Sequence, residues 1–329
     1  QSRTPLEEAD LEAWADQLRD PEVRRRATAL RALRDRPSLP PSALTEQLID
    51  LLDDTTQIVL RDAQGQNPEP TSPSLLSADV IKRMGTNSLQ GLAVALAEAR
   101  PSIRWRAAMM LGQTGSPDAI PYLLSAIEQD RTRLVQLTSS EALVAIGKVN
   151  TQRLIELFHG DNETAREQAI WVLGEIRETS VIDDLLDYAL NSSTRNAPRA
   201  VEAIYKMGDP AVRAVTLKLQ HSSNPQHRIR LMQIAAQMRD PRILEYMMFT
   251  LVTEADTQLR KLALLATDLN HNPVATDVLL NVLTDPDKEV AELAAPALRG
   301  TAEISARIIY KYTKTPDPTV QEYAIDALG

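Results

Sequence analysis

The chemically capable side chains are few and scattered. Four histidines, His159, His221, His227 and His271, supply every imidazole in the chain, and cysteine is absent. A helical metal site wants two histidines four residues apart with a carboxylate beside them. None of the four is followed by Glu, and no two have that spacing. The missing thiols exclude disulfides, thiolate metal centres and a cysteine nucleophile together. The densest acidic group is Asp183, Asp184 and Asp187 with Tyr188. Paired carboxylates do general acid–base work or hold a hard cation, but on the polar face of a helix they are simply solvated. The "RRR" run at 24–26 is balanced by Asp20 and Glu22. No catalytic set forms, so the sequence predicts a non-enzymatic chain with no cofactor and no metal.

Charge narrows the partners. A net charge of −9 and a pI near 5.1 disfavour nucleic acid, whose phosphates need dense Lys and Arg, and an anionic membrane surface. No run approaches the roughly 18 apolar residues of a membrane span. The chain shows no signal-peptide pattern and begins at Gln1 without Met. It reads as soluble, with the cytoplasm favoured and an exported compartment left open. Apolar residues make up 43% but aromatics only 4%, so the interior must be built from Ala, Leu, Ile and Val.

What positions these side chains is a repeat. "IRWRAAMMLG" at 103 returns as "VRRRATALRA" at 23, "LSADVIKRMG" at 76, "TSSEALVAIG" at 138, "AREQAIWVLG" at 165 and "RAVEAIYKMG" at 199. It continues as "IRLMQIAAQM" at 229, "LRKLALLATD" at 259, "VAELAAPALR" at 290 and "VQEYAIDALG" at 320. The last four spacings are 30, 30, 31 and 30 residues. Position five is alanine at Ala27, Ala107, Ala142, Ala169, Ala203, Ala263, Ala294 and Ala324. Six of the 11 glycines fall at position ten: Gly85, Gly112, Gly147, Gly174, Gly208 and Gly329.

Apolar residues at positions one, five, six and nine trace one face of a helix. A central alanine lets a neighbouring helix approach closely, and the terminal glycine is expected to take a left-handed cap. Turn residues follow, often Asp-Pro, and proline suits the first turn of a second helix. That second helix is legible as "AIPYLLSAIEQD", "TQRLIELFHGD", "VIDDLLDYALNS", "AVRAVTLKLQHS", "RILEYMMFTLVT", "VATDVLLNVLTD" and "ISARIIYKYTK". A lone pair of helices leaves apolar stripes bare, and stacking buries them as one continuous core.

This outline resembles the HEAT-repeat family, in particular the short bacterial HEAT-like repeats reading V-R-x-x-A-A-x-A-L-G and then D-P-x-A-I-P-x-L. The best copy runs from Ile103 to Ile127, and the likeness covers most of residues 18–329. The position-two arginine of the pattern recurs as Arg24, Arg104, Arg166, Arg230 and Arg260. The resemblance implies an all-α, right-handed α-solenoid of stacked antiparallel helix pairs. It would run as a single domain over 1–329, with about nine repeats and a final half repeat. A Pro-rich loop at 61–75 is expected as an insertion between the first and second repeats. Pro296 is expected to bend its helix. The half repeat at the C-terminal end implies cover from a partner or from further chain.

HEAT-type enzymes fit poorly. The di-iron deoxyhypusine hydroxylase depends on His-Glu dyads, which this sequence lacks. HEAT-like DNA glycosylases want a basic concave face with Trp and Asp, whereas Trp105 and Trp171 fall in first helices, the outer row of such folds. The second helices line the inner surface in the family. This implies a scaffold binding a protein or an extended peptide on its concave face. Its anchors would be Tyr122, Tyr188, Tyr246 and Tyr310, because tyrosine joins apolar area to a polar tip. Glu128, Arg153, Asp184, Asp187, Arg213 and Lys218 would tune its charge preference. The same short repeat resembles that of the phycobilin lyases, which hold a tetrapyrrole in the groove and hand it to a phycobiliprotein cysteine. That implies an alternative role as a subunit of a bilin lyase or as a chromophore-binding chaperone.

Overall fold

The computed structural model describes residues 8–328 apart from 39, 41, 62–67, 99, 148–150, 192, 194, 239 and 267–272. It divides after Ile176 into two compact units. In the first, helices α1 (Glu8–Leu18), α2 (Val23–Asp35) and α3 (Thr45–Leu51) lead to a short hairpin of β1 (Ile58–Leu60) and β2 (Glu69–Thr71). Then follow α4 (Pro73–Met84), α5 (Leu89–Glu98), α6 (Pro101–Thr114), α7 (Ile120–Gln129), α8 (Arg133–Ile146), α9 (Thr151–His159) and α10 (Glu163–Glu175). The second unit holds α11 (Ile182–Asn191), α12 (Ala197–Lys206), α13 (Asp209–His221), α14 (Pro225–Met238) and α15 (Pro241–Thr253). It ends with α16 (Thr257–Ala266), α17 (Pro273–Val282), α18 (Lys288–Tyr312) and α19 (Pro318–Leu328).

Within the first unit the helices form two rows. The repeat decapeptides lie on α2, α4, α6, α8 and α10, each packed on the next, while α1, α3, α5, α7 and α9 form the parallel row behind them. Each first helix also packs on the second-row helix that precedes it, α2 on α1, α4 on α3, α6 on α5, α8 on α7 and α10 on α9. In the second unit α11, α13, α15 and α17 make one row, and α14, α16 and α18 pack successively in the other. Each unit is therefore an all-α, HEAT-like solenoid stack. All eight position-five alanines are buried, as are Leu111, Leu173 and Leu298 at position nine. At Ala142 the small residue faces Gly112 of the preceding first helix, where a longer side chain has no space.

Position ten departs from expectation. Gly85 and Gly147 do cap α4 and α8 at positive φ, 55° and 72°, while Gly208, at 64°, is the N-cap of α13 after Met207 closes α12. Gly112 and Gly174 instead lie inside α6 and α10, and both are buried. A Cβ on Gly112 would stand 2.7 Å from the Cβ of Ala142 and 2.8 Å from its Cα. Here glycine serves close approach of α6 to α8, and the cap passes to Gly115 at φ 62°. Gly329 lies outside the described residues.

Two further expectations are corrected. The segment at 61–75 contributes β2, which pairs antiparallel with β1 in the register Ile58↔Thr71, Val59↔Pro70 and Leu60↔Glu69. Residues 73–75 are already the first turn of α4, because Pro73 suits that turn and Ser72 caps it, accepting from Leu75 N at 3.3 Å. Residues 62–67 of the expected loop lie outside the described residues. The helix at 290–299 and the expected second helix at 304–314 are one 25-residue element, α18, with Pro296 inside it. Arg299 stands where glycine stops other first helices, and no Asp-Pro turn follows Gly300, so nothing in the chain halts the helix there.

Candidate functional site

The linkers between repeats are held by arginines. Asp20 and Pro21 follow α1, and Arg26 Nη1 donates to their carbonyls at 2.6 and 3.0 Å. Arg26 also pairs with Asp54, whose other oxygen accepts from Thr56 N at 3.2 Å. Arg260 repeats the pattern, donating to the carbonyls of Glu254 and Ala255 at 2.9 and 3.0 Å and gripping Asp285 through two bonds of 2.8 Å. Arg104 holds Asp130 at 2.7 and 3.0 Å, and Asp130 in turn accepts from Thr132 N at 2.8 Å. Arg228 pairs with Glu254, the residue whose carbonyl Arg260 already takes. In α8 the carbonyl of Asp130 is taken by Gln136 Nε2 at 2.8 Å, and in α10 that of Gly160 by Arg166. The carbonyls just past a helix have no partner within it, and a planar guanidinium satisfies them while clasping a carboxylate in two bonds.

This ladder shifts the sequence register at two repeats. Arg24 and Arg230 hold position two of their repeats, yet Arg26 and Arg228 make the clasps, and Arg24 is exposed. The missed signal is a carboxylate 25–28 residues downstream of the arginine. Burial pushes Asp130 up, but hydrogen bonds from Arg104 and the Thr132 backbone outweigh it and hold the carboxyl below its usual range. Asp54 behaves alike, with burial opposed by Arg26 and Thr56. Glu254 is held down first by Arg228.

The expected partner-binding residues fall into small groups. In the first unit Arg153 on α9 reaches Glu128 on α7 at 2.5 Å and Glu156 at 2.7 Å. Tyr122 on α7 is partly exposed and lines a cavity of about 410 Å³ between α5 and α7. In the second unit Lys218 on α13 meets Asp187 on α11 at 2.7 Å. Asp184 and Arg213 are exposed, while Tyr188 and Tyr246 are half-buried. Tyr310 is exposed in the distal part of α18, under Lys314 Nζ at 5.0 Å from its ring. Glu128, Arg153, Asp187 and Lys218 thus tie neighbouring helices of one row to each other. Trp105 and Trp171 lie in first helices and are half-exposed, with Arg106 stacked 4.5 Å over the Trp105 ring.

Sequence reasoning did not single out Leu217. It is 59% exposed on α13, and Phe249, at the same position of α15 32 residues later, is 64% exposed. Val252, one turn beyond Phe249, is 58% exposed. The chain's other phenylalanine, Phe158, is buried. Because α13 packs on α15, these three form an apolar stripe across adjacent helices, rimmed by Arg213 and Glu245 one turn back.

Residues 89–164 match the family model of HEAT repeats, and residues 165–191 match that of the PBS lyase HEAT-like repeat. Residues 89–191 carry HEAT repeats. No curated protein matches it. Among solved structures it is similar to human deoxyhypusine hydroxylase in complex with glycerol, at 16% identity and a TM-score of 0.30, covering 90% of this chain and 96% of that one. It is similar to the complex of CpcE and CpcF of phycocyanin lyase from Nostoc sp. PCC7120, at 19% identity and a TM-score of 0.33, covering 73% and 94%. It is also similar to the karyopherin Kap121p bound to the SUMO protease Ulp1p, at 13% identity and a TM-score of 0.48. That likeness covers 96% of this chain but 40% of the karyopherin. Among the described residues no group of three or more His, Asp or Glu is gathered as metal ligands, and no helix is long and apolar enough to cross a membrane.

Proposed function

We propose that this HEAT-repeat chain is a non-enzymatic scaffold that binds a protein or an extended peptide on its second helices. The observation that carries the reading is the Leu217–Phe249–Val252 stripe. A fold that buries its other phenylalanine and all eight repeat alanines leaves Leu217 and Phe249 more than half exposed at matched positions, with Val252 one turn beyond. Contiguous apolar surface on a folded chain marks a contact site, and a ring flanked by charges is the usual anchor. Arg213 and Glu245 supply such a rim, which steers a partner without dominating its affinity. A photo-crosslinking residue at Phe249, followed by sequencing of the captured peptides, tests this. One recurrent partner sequence, lost in Leu217→Glu, supports the scaffold. Capture unchanged by Leu217→Glu removes it.

A second reading, a subunit of a bilin lyase or a chromophore-binding chaperone, is favoured by one observation: residues 165–191 match a repeat model described by the PBS lyases. Mixing the chain with free bilin separates the two readings. A shifted visible absorption band supports the chromophore role, and an unchanged spectrum ends it.

A further inference from the structure

We infer that the cavity between α5 and α7 is a binding site for a carboxylate that carries a small apolar group beside it. This site is built by helices of the first unit, the stripe by helices of the second. The repeat supplies its own comparison. In each of four clasps an arginine grips a carboxylate just after a second helix: Asp54, Asp130, Glu254 and Asp285. The residue after that carboxylate is Thr55, Ala255 or Pro286 in three of them, and an arginine only at Arg131. Arg131 is exposed at the cavity wall and has no ion-pair partner among the described residues.

The remaining lining fits an anion with an apolar neighbour. Ala93, Leu96 and Ala97 of α5 and Ala126 of α7 make an apolar wall whose small side chains leave the space open. Ser125 and Gln129 add hydroxyl and amide groups on the α7 side, with Tyr122 beside them. Nearby charges do not compete for Arg131. Both Asp130 oxygens accept from Arg104, and Glu128 is held by Arg153. The local balance of Arg104, Asp130 and Arg131 is one positive charge, against a chain that is −9 as a whole. Distant carboxylates are screened beyond roughly 8 Å at physiological salt. A volume near 410 Å³ suits a ligand of side-chain to small-molecule size.

Two sources carry this chemistry, a peptide side chain and a free organic acid, and one experiment separates them. Amide chemical shifts of the full chain are followed during titration with acetyl-leucyl-glutamyl amide, acetyl-leucyl-glutaminyl amide and N-acetylleucine. We expect the glutamyl probe to move Ala97, Ser125, Gln129 and Arg131, and the neutral glutaminyl probe to bind at least about tenfold more weakly. N-acetylleucine binding as tightly as the glutamyl probe assigns the site to free acids, and weaker binding assigns it to peptides. Arg131→Ala should weaken the acid by about tenfold or more with Tm unchanged, and Ala97→Leu should fill the space and abolish binding. Absence of shifts with either acid, equal binding of the neutral probe, or full affinity in Arg131→Ala overturns the assignment.

Discussion

Arg260 lies against Asp285 in a paired grip, Nε to Oδ2 and Nη2 to Oδ1 both at 2.8 Å, with each side chain less than a tenth exposed. The two residues sit 25 positions apart, in α16 and in the linker before α18. The guanidinium also closes the carbonyls of Glu254 and Ala255, so one side chain fastens two successive linkers.

Breaking this pair from one side strands a buried charge, which costs about 3–5 kcal/mol. Asp285→Ala should lower unfolding stability by that order in urea titration. Replacing both residues, as Arg260→Met with Asp285→Leu, should cost clearly less than Asp285→Ala alone. A double variant that loses as much as the sum of its singles would show that the two residues act independently.

Gly112 and Ala142 set the spacing of α6 and α8. Gly112→Val should force these helices apart and cost about 1–3 kcal/mol by overpacking. Ala142→Gly placed in the Gly112→Ala background should recover part of the loss, because it removes the Cβ that the new methyl meets at 2.7 Å. Equal Tm values for Gly112→Ala and its double variant would contradict the close approach.

Acid should loosen the ladder. Asp54, Asp130 and Glu254 are held below their ordinary values in the fold. Between the folded and unfolded pKa values the unfolded chain binds more protons, so stability rises with pH there. Their contribution is complete above the unfolded carboxylate pKa, about 4, and is lost as pH falls through the lower folded values. The urea midpoint should therefore drop on acidification below about pH 4, and Asp130→Asn should drop less steeply.

The exposed stripe and the surface ion pairs predict opposite outcomes for binding and stability. Phe249→Ala should leave Tm within about 1 °C, since a ring mostly in water contributes little to folding, while partner capture falls. Lys218→Ala at the exposed Asp187 pair should cost at most about 1 kcal/mol. A large loss of Tm in Phe249→Ala would mean that the ring is a packing element and would remove it as an anchor.

Several features were legible before any coordinates. Ala107, Ala142 and Ala169 recur because every first helix meets its neighbour at one crossing, and that constraint repeats with the chain. The second helices were readable for a similar reason, since each must bury one stripe against the same kind of mate. Glycine at position ten was only half legible. The same residue serves as a cap at Gly147 and as a close-packing site at Gly112, and sequence does not separate an end from a near contact. The fused helix α18 escaped reading because helix hydrogen bonds continue through Gly300 unless a turn signal stops them.

The sequence by itself thus determined the two-helix unit, its spacing and the line of small residues, since these follow from periodic burial along a local stretch of chain. Tertiary structure alone decided that Arg26 and Arg228 rather than Arg24 and Arg230 grip the linkers, that Glu128 and Asp187 are taken up by Arg153 and Lys218, and that Leu217 and Phe249 are left uncovered. Each of those outcomes depends on which side chain a neighbouring repeat presents at that spot. That neighbour is some thirty residues away, beyond the reach of any local pattern.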